Sequence, residues 1–330
     1  MTEARLSGSA LLPLAYRECR QIAATHGRTY FLATRLLSAE RRPAVHALYA
    51  FARMVDDVVD RVARPAAHDR DPLAELDLIE RDLRAALASH PGVVEQHASS
   101  DSWTSVPRPR DLVLAAVTHT VHRYGIAAEH FWTFLDSMRM DAPGAPAFRN
   151  RYATMAQLRE YMRGSAAAIG LQLLPVLGTV VPVSAAEPAA AALGEAFQLT
   201  NFLRDVAEDL DRDRVYLPAD AIAAFGVDEE LLFECRRTGR TDPRVRRALA
   251  HLIAVNRDLY RRAEPGIDLL EPRVRPAIRT AATLYADILR HIERSDYAVF
   301  DHRAVVPRHH RLRIAATEFT TATLRDRLTR

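Results

Sequence analysis

The sequence predicts an all-α protein. Apolar residues recur three and four apart along most of the chain, Ala, Leu, Arg and Glu supply helix propensity, and no run of alternating β-branched residues stands out. Of the 330 residues, 48% are hydrophobic and 26% charged. That is the balance of a folded, soluble chain with a sizeable core, and it excludes global disorder.

The pattern places helices, in order, at 13–25, 39–61, 72–88, 111–124, 127–140, 155–178, 186–210, 243–266 and 272–295. The helix carrying residues 46–60 should be largely buried. Breakers separate the elements at 64–71, 89–110, 141–150 and 238–242. Surface loops are therefore expected at 62–75 and 89–110, with a C-terminal tail at 312–330.

Charge excludes several function classes. Lys+Arg number 45 against 42 acidic residues, for a net charge of +3, and the basic residues are dispersed. A nucleic-acid partner is not expected, because such domains concentrate a basic stripe. Every basic side chain is Arg and none is Lys. A coding preference explains most of that, while phosphate recognition by guanidinium forks remains open for some. Cys19 and Cys235 form no disulfide framework or metal spacing, consistent with a reducing cytoplasmic location. No basic-then-apolar start suggests a secretion signal. The apolar stretch 170–194 is interrupted by Gln172, Pro175, Pro182, Ser184, Glu187 and Pro188, so any membrane contact should be peripheral.

Two acidic motifs carry the chemistry. In segment 46–60, HALYAFARMVDDVVD, Asp56 and Asp60 stand four apart on one helical face, while Phe51, Val55, Val58 and Val59 bury much of the rest. In segment 201–209, NFLRDVAED, Asp205 and Asp209 repeat the spacing, with Gln198, Asn201 and Arg204 nearby. Like charges at that spacing repel, and burying them is costly unless a cation answers. Hard divalent cations take oxygen ligands and are commonly held by one or two carboxylates plus substrate phosphates. Opposed Asp faces would thus grip a diphosphate through Mg²⁺, with Arg53 and Arg204 on the phosphates. Solvated helix faces with intrahelical Asp–Arg pairs are the plainer alternative. No His-Glu-x-x-His pair, dinucleotide loop, Walker loop or nucleophile elbow occurs, and the 13 His residues are scattered. His26, His46 and His302 fall near motif residues and fit ordinary packed or surface roles.

Four stretches together resemble the squalene/phytoene synthase family, most closely its bacterial phytoene synthases: HGRTYFLATRLL at 26–37, ALYAFARMVDDVVD at 47–60, YMRGSAAAIG at 161–170, and QLTNFLRDVAED at 198–209 followed by DRVYLP at 213–218. The resemblance implies one isoprenoid-synthase bundle spanning 1–330 with a central active-site cavity. It implies metal-binding, catalytic roles for Asp56, Asp60, Asp205 and Asp209, with Asn201 as a further metal ligand. Thr29, Tyr49, Arg53, Gln198, Asn201, Arg204 and Arg303 would surround the diphosphates, and Arg163, Gly164, Ala167, Ala168 and Leu171 would shape the prenyl pocket. Mg²⁺, or Mn²⁺ in its place, is the implied cofactor, and no NADPH is expected.

The implied reaction joins two geranylgeranyl diphosphates head-to-head through a cyclopropyl diphosphate, giving phytoene for carotenoid biosynthesis. The chain departs from the family pattern at Arg163, Ala207 and His302, where Arg303 is the neighbouring substitute. Those departures leave a second reading, in which an allylic group such as dimethylallyl passes to an aromatic acceptor. A non-catalytic helical scaffold is a third.

Overall fold

The computed structural model describes residues 8–60, 71–89, 108–303 and 314. Among them there is no strand, only two isolated β-bridges, Arg151 with Val215 and Thr179 with Leu270. The helices are α1 (Gly8–His26), α2 (Arg28–Thr34), α3 (Arg41–Asp60), α4 (Pro72–Ala88), α5 (Pro109–Tyr124), α6 (Glu129–Arg139), α7 (Met155–Met162), α8 (Ala168–Leu177), α9 (Val183–Arg204), α10 (Val206–Asp211), α11 (Ala219–Ala223), α12 (Glu229–Thr238), α13 (Pro243–Ala263) and α14 (Arg275–Arg294). None of the described helices is long and apolar enough to cross a membrane.

Local chemistry sets many ends. Asp71, Thr154, Asp228 and Asp242 cap α4, α7, α12 and α13 by accepting backbone N–H bonds at 3.0, 3.2, 2.9 and 2.7 Å. Gly125 and Gly239 close α5 and α12 at φ 63° and 67°, a conformation that favours glycine.

Packing centres on two helices. α3 buries Val45, Leu48, Phe51, Val55, Val58 and Val59, spaced as one apolar face. It packs on α1 and α5, while α9 packs on α13, α8 and α14. Close approach relies on small residues: a Cβ on Gly194 would lie 2.5 Å from the Ala166 carbonyl oxygen, and one on Gly170 would lie 2.5 Å from that of Ala190. Many arginines make ordinary ion pairs, including Arg139 with Asp77 and Glu80, Arg151 with Asp213 and Glu229, and Arg257 with Glu293. That fits a coding preference for most of them.

Several expectations need correction. The helix expected at 186–210 is broken at Asp205 (φ −102°, ψ 16°) into α9 and α10. The helix expected at 155–178 contains a π-helical turn, Arg163–Ala167, in which the Ala168 N–H donates to the Arg163 carbonyl five residues back. The one at 243–266 tightens into a 3-10 turn at Glu264–Leu269. α2, α11 and α12 are unforeseen: two are very short, and α12 buries only Leu232 and Cys235 among charged residues. Pro72 and Pro109 begin helices inside the loops expected at 62–75 and 89–110. The rest of those loops, apart from residues 71 and 89 and the start of α5, and the 312–330 tail except residue 314, lie outside the described residues.

Candidate active site

Two helix faces enclose one cavity of about 770 Å³. From α3 come Tyr49, Arg53, Asp56 and Asp60, a stripe at helical spacing opposite the buried apolar face. From α9 and α10 come Gln198, Asn201, Phe202, Arg204, Asp205, Glu208 and Asp209. Arg303 reaches the same cavity, as do Tyr30, Tyr161, Tyr216, Tyr285, Asp141, Arg212 and Arg214. The structure therefore brings together ten residues that the sequence singled out, four of them the motif aspartates.

The two motifs differ electrostatically. Asp205 sits between two guanidinium forks: Arg204 donates to both of its oxygens at 2.7 and 2.6 Å, and Arg303 donates to both at 2.8 Å. Burial opposes ionisation there, but the two arginines hold its carboxyl below the usual carboxylate range. Asp209, one turn on, is pushed well above that range, first by burial and then by the Asp205 charge. On α3, desolvation and then the Asp60 charge push Asp56 up to about 7. Asp60 itself accepts from Arg214 at 3.1 Å, with Arg212 at 3.7 Å. Arg53 bonds to Asp57 one turn on, leaving its Nε buried without a hydrogen-bond partner among the described residues. The Oδ1 of Asn201 is likewise buried without a partner.

Among the described residues no three His, Cys, Asp or Glu side chains form a ready-made metal cage. The carboxylates line the cavity rather than meet in it. Such an arrangement suits a hard cation that keeps water and phosphate ligands, because Mg²⁺ dehydrates reluctantly and seldom takes an all-protein cage.

The expected prenyl-pocket residues behave differently. None of Arg163, Gly164, Ala167, Ala168 and Leu171 lines this cavity. Arg163 is exposed. Gly164 lies against α6, where a Cβ would fall 2.0 Å from the Ser137 Oγ and 2.2 Å from the Thr133 carbonyl oxygen. Its smallness serves helix packing. Ala167 and Ala168 are buried and Leu171 is half-buried, and Ala167 approaches α9, where a Cβ on Gly194 would lie 3.2 Å from its Cα. The Thr29 side chain lies outside the described residues.

Other cavity residues had no assigned role. Asp213, at φ 55°, reverses the chain after α10 and is held by Asn150. The 214–219 segment then docks along 150–152, with Val215 N–H to Asn150 O and Ala219 N–H to Tyr152 O, both at 2.9 Å. That docking sends Arg214 and Tyr216 inward. The DRVYLP stretch was the available signal, but a loop motif does not disclose which carboxylate its arginine meets. Tyr285 carried no signal, being one aromatic residue within an amphipathic helix.

Comparison with known proteins identifies the family. A profile of the squalene/phytoene synthase family matches residues 23–310. The chain is 36% identical over 304 residues to a phytoene synthase of Arthrospira platensis, covering 89% of this chain and 88% of that one. It is 34% identical over 308 residues to the 15-cis-phytoene synthase of Synechococcus elongatus, covering 90% of each. A ligand-bound dehydrosqualene synthase structure superposes with a TM-score of 0.78 at 25% identity, covering 94% of this chain and 98% of that one. A squalene synthase from Alicyclobacillus acidocaldarius, 23% identical with a TM-score of 0.68, has the same fold and covers 87% of this chain and 95% of its own. With two aspartate-bearing helix faces lining one cavity and a family match along most of its length, the chain belongs to the squalene/phytoene synthase family and is a prenyl transferase of the phytoene-synthase type.

Proposed function

We propose that this enzyme joins two molecules of geranylgeranyl diphosphate head-to-head, through a cyclopropyl diphosphate, to give phytoene and release diphosphate. The observation carrying this reading is the convergence of Asp56, Asp60, Asp205 and Asp209 with Arg53, Arg204 and Arg303 on a single cavity, in a chain resembling two named phytoene synthases.

Asp56, Asp60, Asp205, Asp209 and Asn201 are the proposed holders of Mg²⁺, or of Mn²⁺ in its place. The buried, unpartnered Asn201 Oδ1 and the two carboxyls, Asp56 and Asp209, whose ionisation desolvation opposes, fit that assignment, since a cation would satisfy all three. When bound, the metal supplies positive charge to the departing diphosphate.

The chain's own groups do the rest. Arg53, Arg204 and Arg303 offer guanidinium forks to phosphate oxygens, and Arg204 and Arg303, which hold Asp205 through Nε and Nη2, keep Nη1 for that contact. Tyr49, Gln198 and Asn201 add polar contacts at the same end. Tyr30, Tyr161, Phe202, Tyr216 and Tyr285 wall the cavity with aromatic carbon, which shelters an allylic cation from water while the second alkene attacks it. A proton leaves at the last step, so the reaction needs no reductant.

The deciding experiment incubates purified enzyme with Mg²⁺ and geranylgeranyl diphosphate alone and extracts the lipid product. Phytoene from that single substrate is expected. Diphosphate release only after addition of a separate acceptor would overturn the reading.

A further inference from the structure

Asp141 follows α6 outside both aspartate motifs, and it is only 4% exposed. A buried carboxylate in a cavity wall is costly unless its oxygens are satisfied. Here two phenols satisfy them. Tyr216 donates to Oδ1 at 2.9 Å, and Tyr161 donates to Oδ2. The two tyrosines come from different elements, α7 and the segment after α10. Their rings stack with centroids 5.6 Å apart, and Phe202 stacks on Tyr216 at 4.1 Å. All three rings line the cavity. Arg214 donates to the Asp141 main-chain oxygen at 3.3 Å and to Asp60 at 3.1 Å, so the guanidinium addresses the Asp141 backbone and leaves its carboxylate to the phenols.

A phenol has a single O–H. With both protons committed to Asp141, neither tyrosine has a proton to donate into the cavity. The wall then offers π-density, which attracts a cation, and no free O–H to donate to a water beside one.

We propose that Asp141 is a positioning residue: by accepting both phenolic protons it fixes Tyr161 and Tyr216, with Phe202 stacked against them, as a dry aromatic wall facing the reacting prenyl chain. This rests on the proposed prenyl-diphosphate reaction. Its consequence is product fidelity. A loosened wall admits water, whose lone pair forms a C–O bond to the allylic cation and whose proton passes to solvent, giving a prenyl alcohol in place of hydrocarbon.

The test reads the alcohol-to-hydrocarbon ratio, which does not depend on how much enzyme is folded. Asp141→Asn keeps the volume but has one accepting oxygen, so one phenol is freed. Its alcohol share should rise about 10-fold, from loss of one charge-assisted hydrogen bond, with KM for geranylgeranyl diphosphate unchanged and kcat reduced. Adding Tyr161→Phe and Tyr216→Phe to Asp141→Asn removes every hydroxyl that could be freed and should return the ratio toward wild type. The triple variant buries no carboxylate and frees no hydroxyl, so its alcohol share stays low even if Asp141→Asn alone does not fold. A worse ratio in the triple variant overturns the proposal.

Ultraviolet resonance Raman spectra of substrate-free protein supply an arm independent of the reaction. The tyrosine Fermi doublet should shift in Asp141→Asn, and no shift overturns the assignment. If wild-type enzyme consumes no geranylgeranyl diphosphate, the functional reading fails and the Raman arm still decides the role of Asp141.

Discussion

Arg303 closes a two-pronged grip on Asp205 from 98 residues away, both bonds at 2.8 Å, on a carboxylate that Arg204 already holds in the same manner. The same anion is the proposed metal ligand, and the same cations are the proposed phosphate ligands. Paired as they are, they neutralise one another.

This predicts opposite effects from one substitution. Arg303→Ala removes a competitor for Asp205 and should strengthen Mg²⁺ binding to the substrate-free enzyme. It also removes a phosphate contact and should weaken inorganic diphosphate binding, by about 10-fold for one charge-assisted bond pair. Calorimetric titration with each probe checks both signs.

Asp56→Asn and Asp209→Asn should each lower turnover by about 100-fold or more, as expected for loss of a group that holds a catalytic metal. Neither should lower the melting temperature of metal-free protein, because each removes half of a repelling pair. Steady-state assays and thermal melts in EDTA measure the two effects.

The pH dependence follows from Asp56. Its folded carboxyl holds a proton up to about 7, whereas an unfolded aspartate releases it near pH 4. Between those values the native state binds more protons than the unfolded state, so the Asp56 contribution to stability falls as pH rises. Mg²⁺ needs the ionised carboxylate, so its affinity should rise across the upper part of that window. Melting curves at pH 6 and pH 8, with EDTA and with Mg²⁺, should show the larger metal-induced gain at pH 8.

Gly164→Ala should destabilise the fold by about 1–3 kcal/mol, the ordinary cost of overpacking. The new Cβ would meet Ser137 Oγ at 2.0 Å and the Thr133 carbonyl oxygen at 2.2 Å. Because the second contact is backbone, adding Ser137→Ala should recover only part of the loss. Urea denaturation measures each step.

Arg163→Ala should change stability by less than about 0.5 kcal/mol, as expected for a solvent-exposed side chain. Its product profile from geranylgeranyl diphosphate should match wild type, since Arg163 does not line the cavity.

The aspartate faces were legible because the four-residue spacing of Asp56 with Asp60 and of Asp205 with Asp209 needs only helical geometry to act. Arg53, Gln198 and Asn201 follow from the same periodicity, and Tyr49 from the family resemblance alone. The break at Asp205 was not legible, since neither Gly nor Pro marks it. Nor were Arg214 and Asp141, whose meeting depends on the reversal at Asp213 and the docking of the following loop along 150–152. The small residues at 164–168 signal close approach, and the close neighbour of Gly164 is α6.

The π-helical turn at Arg163–Ala167 holds one residue more than an α-helical turn would need. α7 and α8 consequently keep the relative phase of a continuous helix one residue shorter. A single-residue deletion within 163–167 should therefore be absorbed as a regular turn, leaving Tyr161 and Gly170 facing their present neighbours. The same deletion elsewhere in α8 would rotate everything beyond it by about 100°. This segment is thus the place along α7 and α8 where chain length can change without changing what either helix presents.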